Sequence, residues 1–281
     1  MSVTINTNVD SIKIQNCLTS STNNLSKAMQ RMSTGLKINS AKDDAAGTVI
    51  AAKMGVQLDG NSICQNNVQS ANALLSTAEG NLDVVQDNVT RIRDLALQAK
   101  NGTYSDNEIS AMNDEVQERL AEINRVSESA KYSDSSLFED TAGKGTNGAT
   151  FQVGANAGDE NTIKADKSIF ASVKFSSLSN LQNFKLTKAN ATDATIEKLD
   201  TAINNITDRK SKIGSAQNRL ESALSTLETQ YTNLSSSKSI ITDADIASEA
   251  SNYTSANILQ QISTSLLAQA NQAPSVALSL V

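Results

Sequence analysis

Apolar residues recur at alternating steps of three and four through two long stretches of the chain. The first stretch runs without interruption from Cys64 to Ala99, and the second runs from Ile196 to Ile241 with polar residues only at Lys210, Gln217 and Lys238. This spacing places the apolar side chains along one seam of a helix, as in a coiled coil. At about 1.5 Å per residue, the pattern predicts two helices about 50 and 70 Å long that pack along their seams.

A third, shorter helix is predicted between these two. Its apolar stripe runs from Ile109 to Val126 at helical spacing. The preceding segment "NGTYSDNE", residues 101–108, predicts a turn in which Gly102 ends one helix and Ser105 caps the next, with Glu108 completing a capping box. The third helix is therefore expected to fold back on the first.

The character of the sequence changes between Phe138 and Asn190. Glycines crowd together in the first part of this segment, and Phe151, Val153 and Ala155 occupy alternate positions. Period-two alternation and closely spaced glycines are typical of strands joined by tight turns. This segment is predicted to form short β-hairpins.

The chain closes with a long stretch that carries no charged side chain after Glu249. A new helix is predicted to begin just before it, because Thr242 and Asp245 have capping-box spacing. The stripe on one face of this helix consists of Ile258, Ile262 and Leu266, with Leu259 and Leu267 beside it. The remaining residues are mostly Ser, Thr, Asn and Gln, which can be buried without the cost of desolvating an ion. The ending is therefore predicted to bury its apolar face against another polypeptide.

Composition excludes several classes of function. The chain contains no histidine, so serine triads and HExxH zinc sites are excluded. Aromatic residues make up only 3% of the chain, which argues against a thick globular core and favours extended helices. The net charge of -6, without a cluster of Lys and Arg, argues against a nucleic-acid surface. We expect a protein that is not an enzyme and has no cofactor.

Two cysteines and two adjacent aspartates could be interpreted as reactive or metal-binding residues, but a structural role explains each of them more simply. Cys17 and Cys64 are too few for a disulfide framework or a four-ligand metal site, and both are expected to be buried or half-buried as small apolar side chains. Asp43 and Asp44 are adjacent, so on a helix their carboxylates point in different directions and do not predict a metal site.

Neither a cleaved signal peptide nor a membrane span is expected. The N-terminus has no basic region followed by an apolar run. Nowhere does the chain approach the roughly 20 consecutive apolar residues that a spanning helix needs. If the protein leaves the cell, it is expected to use a route without cleavage of such a signal.

Four stretches of the chain resemble bacterial flagellins. Near the N-terminus these are "INTN" (residues 5–8) and "RMSTGLKINSAKDDAAG" (residues 31–47). Near the C-terminus they are "IGSAQNRLESALSTLETQYTNLSSSKS" (residues 213–239) and "ITDADIASEASNYTSANILQQISTSLLAQANQAP" (residues 241–274). Together the matching parts cover about four fifths of the chain. Since only about fifty residues separate the helical parts, the resemblance is to a short form without outer variable domains.

The resemblance implies a mainly α fold: a long coiled-coil-like helical bundle with a small β-hairpin region, whose terminal helices pair into an inner layer around a channel. The inner domain would comprise residues 1–42 and 242–281. The rod-like helical domain would comprise residues 43–140 and 191–241, and the β-hairpin region residues 141–190.

The same resemblance implies a structural subunit that polymerises into the flagellar filament for motility. Its polymerisation residues are expected in the two terminal segments. The inner layer is expected to bury Ile258, Ile262, Leu266 and Leu267 against Ile5, Val9, Ile12 and Leu18.

Further partners are implied by the resemblance alone. They are an export chaperone that holds the C-terminal segment, the filament cap and hook-junction proteins. The chain would be exported unfolded through the flagellar secretion channel and would reside in the extracellular filament. No nucleic-acid or membrane partner is expected.

Flagellins are also recognised by a vertebrate Toll-like receptor, through an Arg and a Leu of the first long helix and a Glu of the second. These residues map onto Arg91, Leu95 and Glu115. The resemblance implies that Leu95 is an apolar anchor with the two ions at a polar rim. The simpler interpretation is that all three belong to a solvated or subunit-facing helix surface.

Two other functions are compatible with the helical pattern. A hook-to-filament junction protein shares the terminal helices but joins in few copies, and a secreted coiled-coil adhesin or receptor ligand would act as a small oligomer. The uncharged ends argue against the adhesin, because a solvated oligomer gains nothing from them. The "SAKDDAAG" and "LLAQANQAP" stretches argue against the junction protein.

Overall fold

The structure, a computed structural model, describes residues 7–138, 148–179 and 184–278 of the 281-residue chain. The described part is mainly helical, with two small antiparallel hairpins, as predicted. Its helices are α1 (Val9–Thr34), α2 (Ala45–Lys100), α3 (Asp106–Ser129), α4 (Phe175–Ser179), α5 (Asp193–Thr242) and α6 (Ile246–Leu278). Its strands are β1 (Lys131–Tyr132), β2 (Ser135–Ser136), β3 (Thr150–Gln152) and β4 (Thr162–Lys164).

The chain divides into two compact units. One comprises Met1–Leu58 and Thr232–Val281, and the other comprises Asp59–Tyr231. Both divisions fall inside the long helices α2 and α5, whereas the sequence places its inner domain boundaries after residues 42 and 241. The domain division made from the sequence follows helix ends and stays a prediction.

The predicted seam of α2 is the core of the second unit. All eleven of its positions, from Cys64 to Ala99, are buried, and none is more than 3% exposed. Helix α3 adds Ile109 and Ile123, and α5 adds Leu199 and Ile213, all of them buried. The three-four periodicity therefore identified the core residues correctly, because burying apolar surface is the main gain when helices pack.

The polar residues within the α5 seam contact α2. Lys210 pairs with Asp83 and donates to the side chain of Gln86, while Gln217 donates to the hydroxyl of Ser76. These positions interrupt the apolar rhythm without leaving polar groups unpaired in the core. The seam residues further along α5 are less buried: Tyr231 is exposed and Leu234 is only half-buried.

The turn between α2 and α3 contains the predicted capping box. The Ser105 hydroxyl accepts from the Glu108 backbone N–H, and the Glu108 carboxylate accepts from the Ser105 backbone N–H at 2.7 Å. The hydrogen bonds that the Glu108 carboxylate accepts from the Ser105 backbone N–H and, next, from the Ser105 hydroxyl lower the pKa of Glu108. Gly102 lies two residues beyond the end of α2, but it does not adopt the left-handed conformation that ends many helices.

Ser105→Ala is expected to destabilise the protein by about 1 kcal/mol, because the first turn of α3 loses its cap. Glu108 is ionised when it accepts these hydrogen bonds, so its contribution is present above its unfolded pKa and is lost as the pH falls through the lower, folded pKa. Urea unfolding at neutral pH measures the effect. Ser110→Ala, an exposed position inside α3, is the control and should change the stability by less than about 0.5 kcal/mol. Equal effects of both substitutions would contradict the capping role.

The β-hairpin region differs in part from its prediction. β3 and β4 pair antiparallel, with Phe151 opposite Ile163, as the alternation of apolar residues indicated. Ala155, however, lies beyond β3 and is exposed. The shorter hairpin of β1 and β2 was not predicted; it turns at Ser133 and Asp134, which both have positive φ. Nothing in their residue types signals that turn as Asn-Gly would.

Partly buried polar contacts fix the segment after β4 to α5. Arg209 donates to the carbonyl oxygens of Ala171 and Ser172, and burial lowers the pKa of this guanidinium. Lys212 donates to the hydroxyl of Ser168 at 3.0 Å. The segment thus gains a fixed position although it contains little regular structure.

The two cysteines have different environments. Cys64 is buried in the α2 seam as expected, and desolvation raises the pKa of its thiol. Cys17 is exposed on α1, so the expectation that both would be buried is wrong for this residue. It lies on α1 outside the positions that are buried or half-buried in the described part of the chain.

Candidate functional site

The first unit contains the two terminal helices, α1 and α6, packed antiparallel. Asn8 Nδ2 donates to the carbonyl oxygen of Ala270 at 2.7 Å near one end of the pair. Gln260 Nε2 donates to Thr22 Oγ1 at 3.3 Å in the middle. Arg31 then pairs with Glu249 at the other end. The predicted pairing of the terminal helices is therefore present within one chain.

Local signals in the sequence define both ends of α1. The Asn8 side chain caps the N-terminus by accepting from the Ser11 N–H, and Asp10 lies in the first turn, where a negative charge is favourable. Gly35 ends the helix with φ 71°, a left-handed conformation that glycine adopts without strain.

The contact between α1 and α6 follows a regular three-four seam on each helix. The positions concerned are buried or half-buried, and most carry small or polar side chains. On α1 they are Ser11, Ile14, Leu18, Ser21, Leu25, Ala28 and Arg31, and on α6 they are Glu249, Tyr253, Ala256, Gln260, Ser263, Leu267 and Ala270. Small side chains let two helices approach closely, while little apolar area is removed from water.

The apolar stripe predicted on the closing helix faces away from this seam. Ile258, Ile262 and Leu266 are each about half exposed, as are Val9 and Ile12 on α1. Of the residues expected to pack together, only Leu18 and Leu267 lie in the seam, and Ile5 lies outside the described residues. The expected contact between the two apolar stripes is therefore not the contact that pairs α1 with α6 in one chain.

More large apolar side chains are exposed elsewhere in this unit. They include Met29, Met32 and Leu36 near the end of α1, Val49, Ile50 and Val56 on α2, and Ile240, Ile246 and Leu259 near or on α6. Scattered exposed apolar residues are normal, but a set this dense is typical of surfaces that bind other polypeptides.

Backbone hydrogen bonds join the segment that follows α1 to the segment between α5 and α6. Lys37 N donates to Thr242 O at 2.7 Å, and Ala244 N donates to Gly35 O at 2.9 Å. Thr242 is the last residue of α5, and Asp245 caps α6 by accepting from the Ala247 N–H. The predicted helix start was therefore found, but Asp245 is the cap and Thr242 is not.

The acidic residues of these connections act as local hydrogen-bond acceptors. Asp43 accepts from the hydroxyl and N–H of Ser40 and pairs with Lys27, and these contacts, the hydroxyl first, lower its pKa. Asp44 accepts from the Gly47 N–H at the start of α2. Within the part of the chain that the structure describes, no group of three or more His, Cys, Asp or Glu side chains is placed to hold a metal ion.

The ion pair at one end of the helix pair is largely buried. Arg31 Nη1 donates to Glu249 Oε1 at 2.8 Å, and the two side chains are 22% and 11% exposed. Glu249 also accepts from the side chain of Asn252 at 3.4 Å. Arg31 Nε is buried without a hydrogen-bond partner, so the pair is incompletely satisfied.

Glu249→Gln is expected to weaken the pairing of α1 with α6 by about 2 kcal/mol, because it leaves the Arg31 charge half-buried without a counter-charge. Hydrogen exchange at the amides of both helices measures the change. The matched control is Glu122→Gln, which breaks the exposed pair with Arg125 and should change stability by less than about 1 kcal/mol. Unchanged exchange in both variants would show that the buried pair contributes nothing.

The second unit places the three predicted receptor residues at unequal depth. Arg91 Nε and Nη2 donate to the two oxygens of Glu115 at 2.8 and 3.0 Å on the surface. The hydrogen bonds between them raise the pKa of Arg91 and lower that of Glu115. Leu95, by contrast, is 2% exposed and belongs to the core. Its expected role as an exposed apolar anchor is not supported by this position.

Comparisons with known proteins agree with the geometry of the helix pair. The model of the bacterial flagellin N-terminal helical region matches residues 5–143, and that of the bacterial flagellin C-terminal helical region matches residues 196–281. A flagellin of Halalkalibacterium halodurans is 35% identical over 255 residues, covering 91% of each chain. The chain belongs to the bacterial flagellin family. A Bacillus subtilis flagellin is 33% identical over 99% of both chains.

Among solved structures, a crystal structure of Bacillus cereus flagellin is similar with a TM-score of 0.49 and 28% identity, covering 62% of this chain and 94% of that one. Flagellins are structural proteins that form the flagellar filament, and this chain is such a filament subunit for motility. None of the described helices has the length and apolar character needed to cross a membrane.

Sequence reasoning missed the residues that pair α1 with α6. It searched for the largest apolar side chains and so selected the exposed stripe of this flagellin. A signal was nevertheless available, because Tyr253, Ala256, Gln260, Ser263 and Leu267 follow one another at steps of three and four. Small and polar residues at coiled-coil spacing are consistent with a close contact between helices, but the residue types alone do not distinguish such a seam from a solvated face.

Proposed function

We propose that the exposed apolar faces of α1 and α6 are the surfaces through which copies of this subunit contact one another in the filament. The strongest support is the difference between two faces of α6. Its small and polar seam already contacts α1, while Ile258, Ile262 and Leu266 remain about half exposed. A second copy can cover them and gain the free energy of burying apolar area.

The absence of charge on α6 beyond Glu249 supports the same assignment. From Ala250 onward there is no Asp, Glu, Lys or Arg, so a neighbouring copy can cover any face of this part of the helix without desolvating an ion. The hydroxyl and amide groups can form hydrogen bonds in a closely packed layer. Val9 and Ile12 belong to this polymerisation surface, and so does Ile5 by its place in the sequence. Leu18 and Leu267, which were also expected in it, lie in the seam between α1 and α6 and would hold the helix pair together.

Before assembly, the same surface needs protection. An exposed apolar stripe favours aggregation, so a chaperone that holds the C-terminal segment would keep the subunit available for export. The chain would pass unfolded through the flagellar secretion channel without a cleaved signal peptide and add to the extracellular filament beneath its cap, beyond the hook-junction proteins. The weakly apolar seam between α1 and α6 suits a pair that must separate for export.

Recognition by the vertebrate Toll-like receptor for flagellin is the second part of the proposal. The Arg91–Glu115 pair is solvent-accessible and presents both a positive and a negative group. Leu95, four residues further along the same helix as Arg91, would support this surface from the core. The contact would therefore depend mainly on the two ions and their exposed neighbours.

One experiment tests the polymerisation surface. Purified full-length subunit and a version truncated after Ile241 are mixed with short filament seeds and examined by negative-stain electron microscopy. Long filaments from the full chain alone are the expected result. Filaments from both would overturn the proposal, and small oligomers from both would favour a junction protein or an adhesin.

A further inference from the structure

We infer that the turn between α2 and α3 is a site of spontaneous modification, at which Asn101 is converted to aspartate and isoaspartate. Asn101 and Gly102 form an Asn-Gly pair, the one such pair in which the structure describes both residues. Both residues are exposed, and so is Thr103 after them. The inference concerns a position outside the proposed polymerisation surface and does not depend on it.

The chemistry requires the Gly102 nitrogen to reach the Asn101 side chain. After loss of its proton to solvent base, the Gly102 amide nitrogen attacks Cγ of Asn101, so a nitrogen–carbon bond forms. The bond from Cγ to Nδ2 breaks, and ammonia leaves. Water then opens the five-membered imide at either carbonyl carbon, which gives aspartate or isoaspartate. No oxidant or reductant takes part.

The backbone of the turn leaves this nitrogen available. Tyr104 N donates to Asn101 O at 3.5 Å, which makes residues 101–104 a β-turn with Gly102 at its second position. Among the hydrogen bonds of the described residues, none uses the Gly102 N–H or the Asn101 side chain. A β-carbon on Gly102 would meet no atom within 4 Å apart from its two chain neighbours, so the rest of the described chain does not crowd this position.

A second asparagine in a connection between helices provides the contrast. Asn39 Nδ2 donates to the Leu36 carbonyl at 2.9 Å, and the following nitrogen, that of Ser40, donates to Asp43 Oδ2 at 3.1 Å. Both reacting groups are therefore held by other partners. Most other asparagines of the described chain lie within helices, where the next backbone N–H is bonded along the helix.

The product changes the charge of the turn. A new carboxylate would lie directly after Lys100, which pairs with Asp193, and at the C-terminal end of α2, where the helix dipole disfavours a negative charge. The isoaspartate form also lengthens the backbone by one carbon, just before the capping box at Ser105. The fraction of subunits that carry this added negative charge would therefore increase with the age of the protein.

Timed incubation of the full chain at mildly alkaline pH, followed by peptide mapping with mass spectrometry, tests the inference. Rates at Asn101 and Asn39 are measured in the folded protein and in denaturant, and the ratio of the two rates gives the protection at each site. Protection within about threefold of unity is expected at Asn101, because an exposed turn is weakly restrained. Asn39 is expected to be protected at least about tenfold, because its hydrogen bonds must open first.

Gly102→Ala is the second test. It compares the rate of modification at Asn101 in the variant and in the original chain, so the imide does not have to be isolated. A β-carbon restricts the backbone rotation that brings the nitrogen to Cγ, so the rate at Asn101 should fall about tenfold. Protection at Asn101 above about tenfold, or equal protection at Asn101 and Asn39, would overturn the inference. An unchanged rate in Gly102→Ala would do the same.

Discussion

Leu266→Asp is expected to abolish filament assembly while leaving the subunit folded. Leu266 lies on α6 outside the seam with α1 and is 46% exposed, so a carboxylate there meets water in the isolated subunit. Once a second copy covers the face, the same carboxylate becomes an unpaired buried charge, which costs about 3–5 kcal/mol at each contact. In a filament of many copies this penalty is repeated at every subunit.

Seeded assembly followed by sedimentation and electron microscopy measures this effect, with circular dichroism as a check on the fold. Leu266→Met is the matched control, because it keeps an uncharged apolar side chain of similar volume, and it should assemble with nearly normal yield. Normal filaments from Leu266→Asp would refute the assignment of this face. Loss of helix in the isolated variant would instead show that Leu266 supports the fold.

Leu95→Ala is expected to destabilise the second unit by about 2–5 kcal/mol, because the substitution leaves a cavity in a closely packed core. Leu95 is 2% exposed, whereas Leu97, two residues away on the same helix, is 41% exposed. Leu97→Ala removes the same atoms from a solvated position and should change the stability by less than about 0.5 kcal/mol. Thermal or urea unfolding of the two variants provides the comparison.

This pair of substitutions also bears on receptor binding. If Leu95→Ala weakens binding in proportion to its loss of stability, Leu95 acts from the core. If it weakens binding strongly at a temperature where the variant is fully folded, Leu95 contacts the receptor and must leave the position seen in the structure. Arg91→Ala, which removes an exposed ion, separates the surface contribution from the contribution of the core.

The long helices were predictable because their physics is local and repetitive. The seam from Cys64 to Ala99 is apolar at every third or fourth residue, and such a helix is stable when its apolar face is buried against another helix. The α3 cap was equally readable, because Ser105 and Glu108 satisfy each other's backbone N–H groups within one turn. Neither inference needed knowledge of distant parts of the chain.

The β-hairpin region was predictable only in outline. Phe151 and its alternating neighbours indicated a strand. The alternation did not identify its partner, which is β4, because an irregular segment separates the two strands. The position of the segment after β4 depends on Arg209, a residue of α5 whose guanidinium donates to Ala171 and Ser172. Contacts so distant in sequence leave no periodic pattern.

The sequence by itself determined that this chain has long helices, uncharged ends and no histidine chemistry, because composition and spacing are properties of the chain alone. Only the tertiary structure decided which face of α6 contacts α1. Ser263 and Ala256 are buried there, and Ile262 is not, because the close approach of two helices favours small side chains. Packing within the second unit likewise placed Leu95 in the core and Arg91 at the surface, four residues apart on one helix. Burial depends on what covers a side chain, and a residue's own type cannot specify its neighbour.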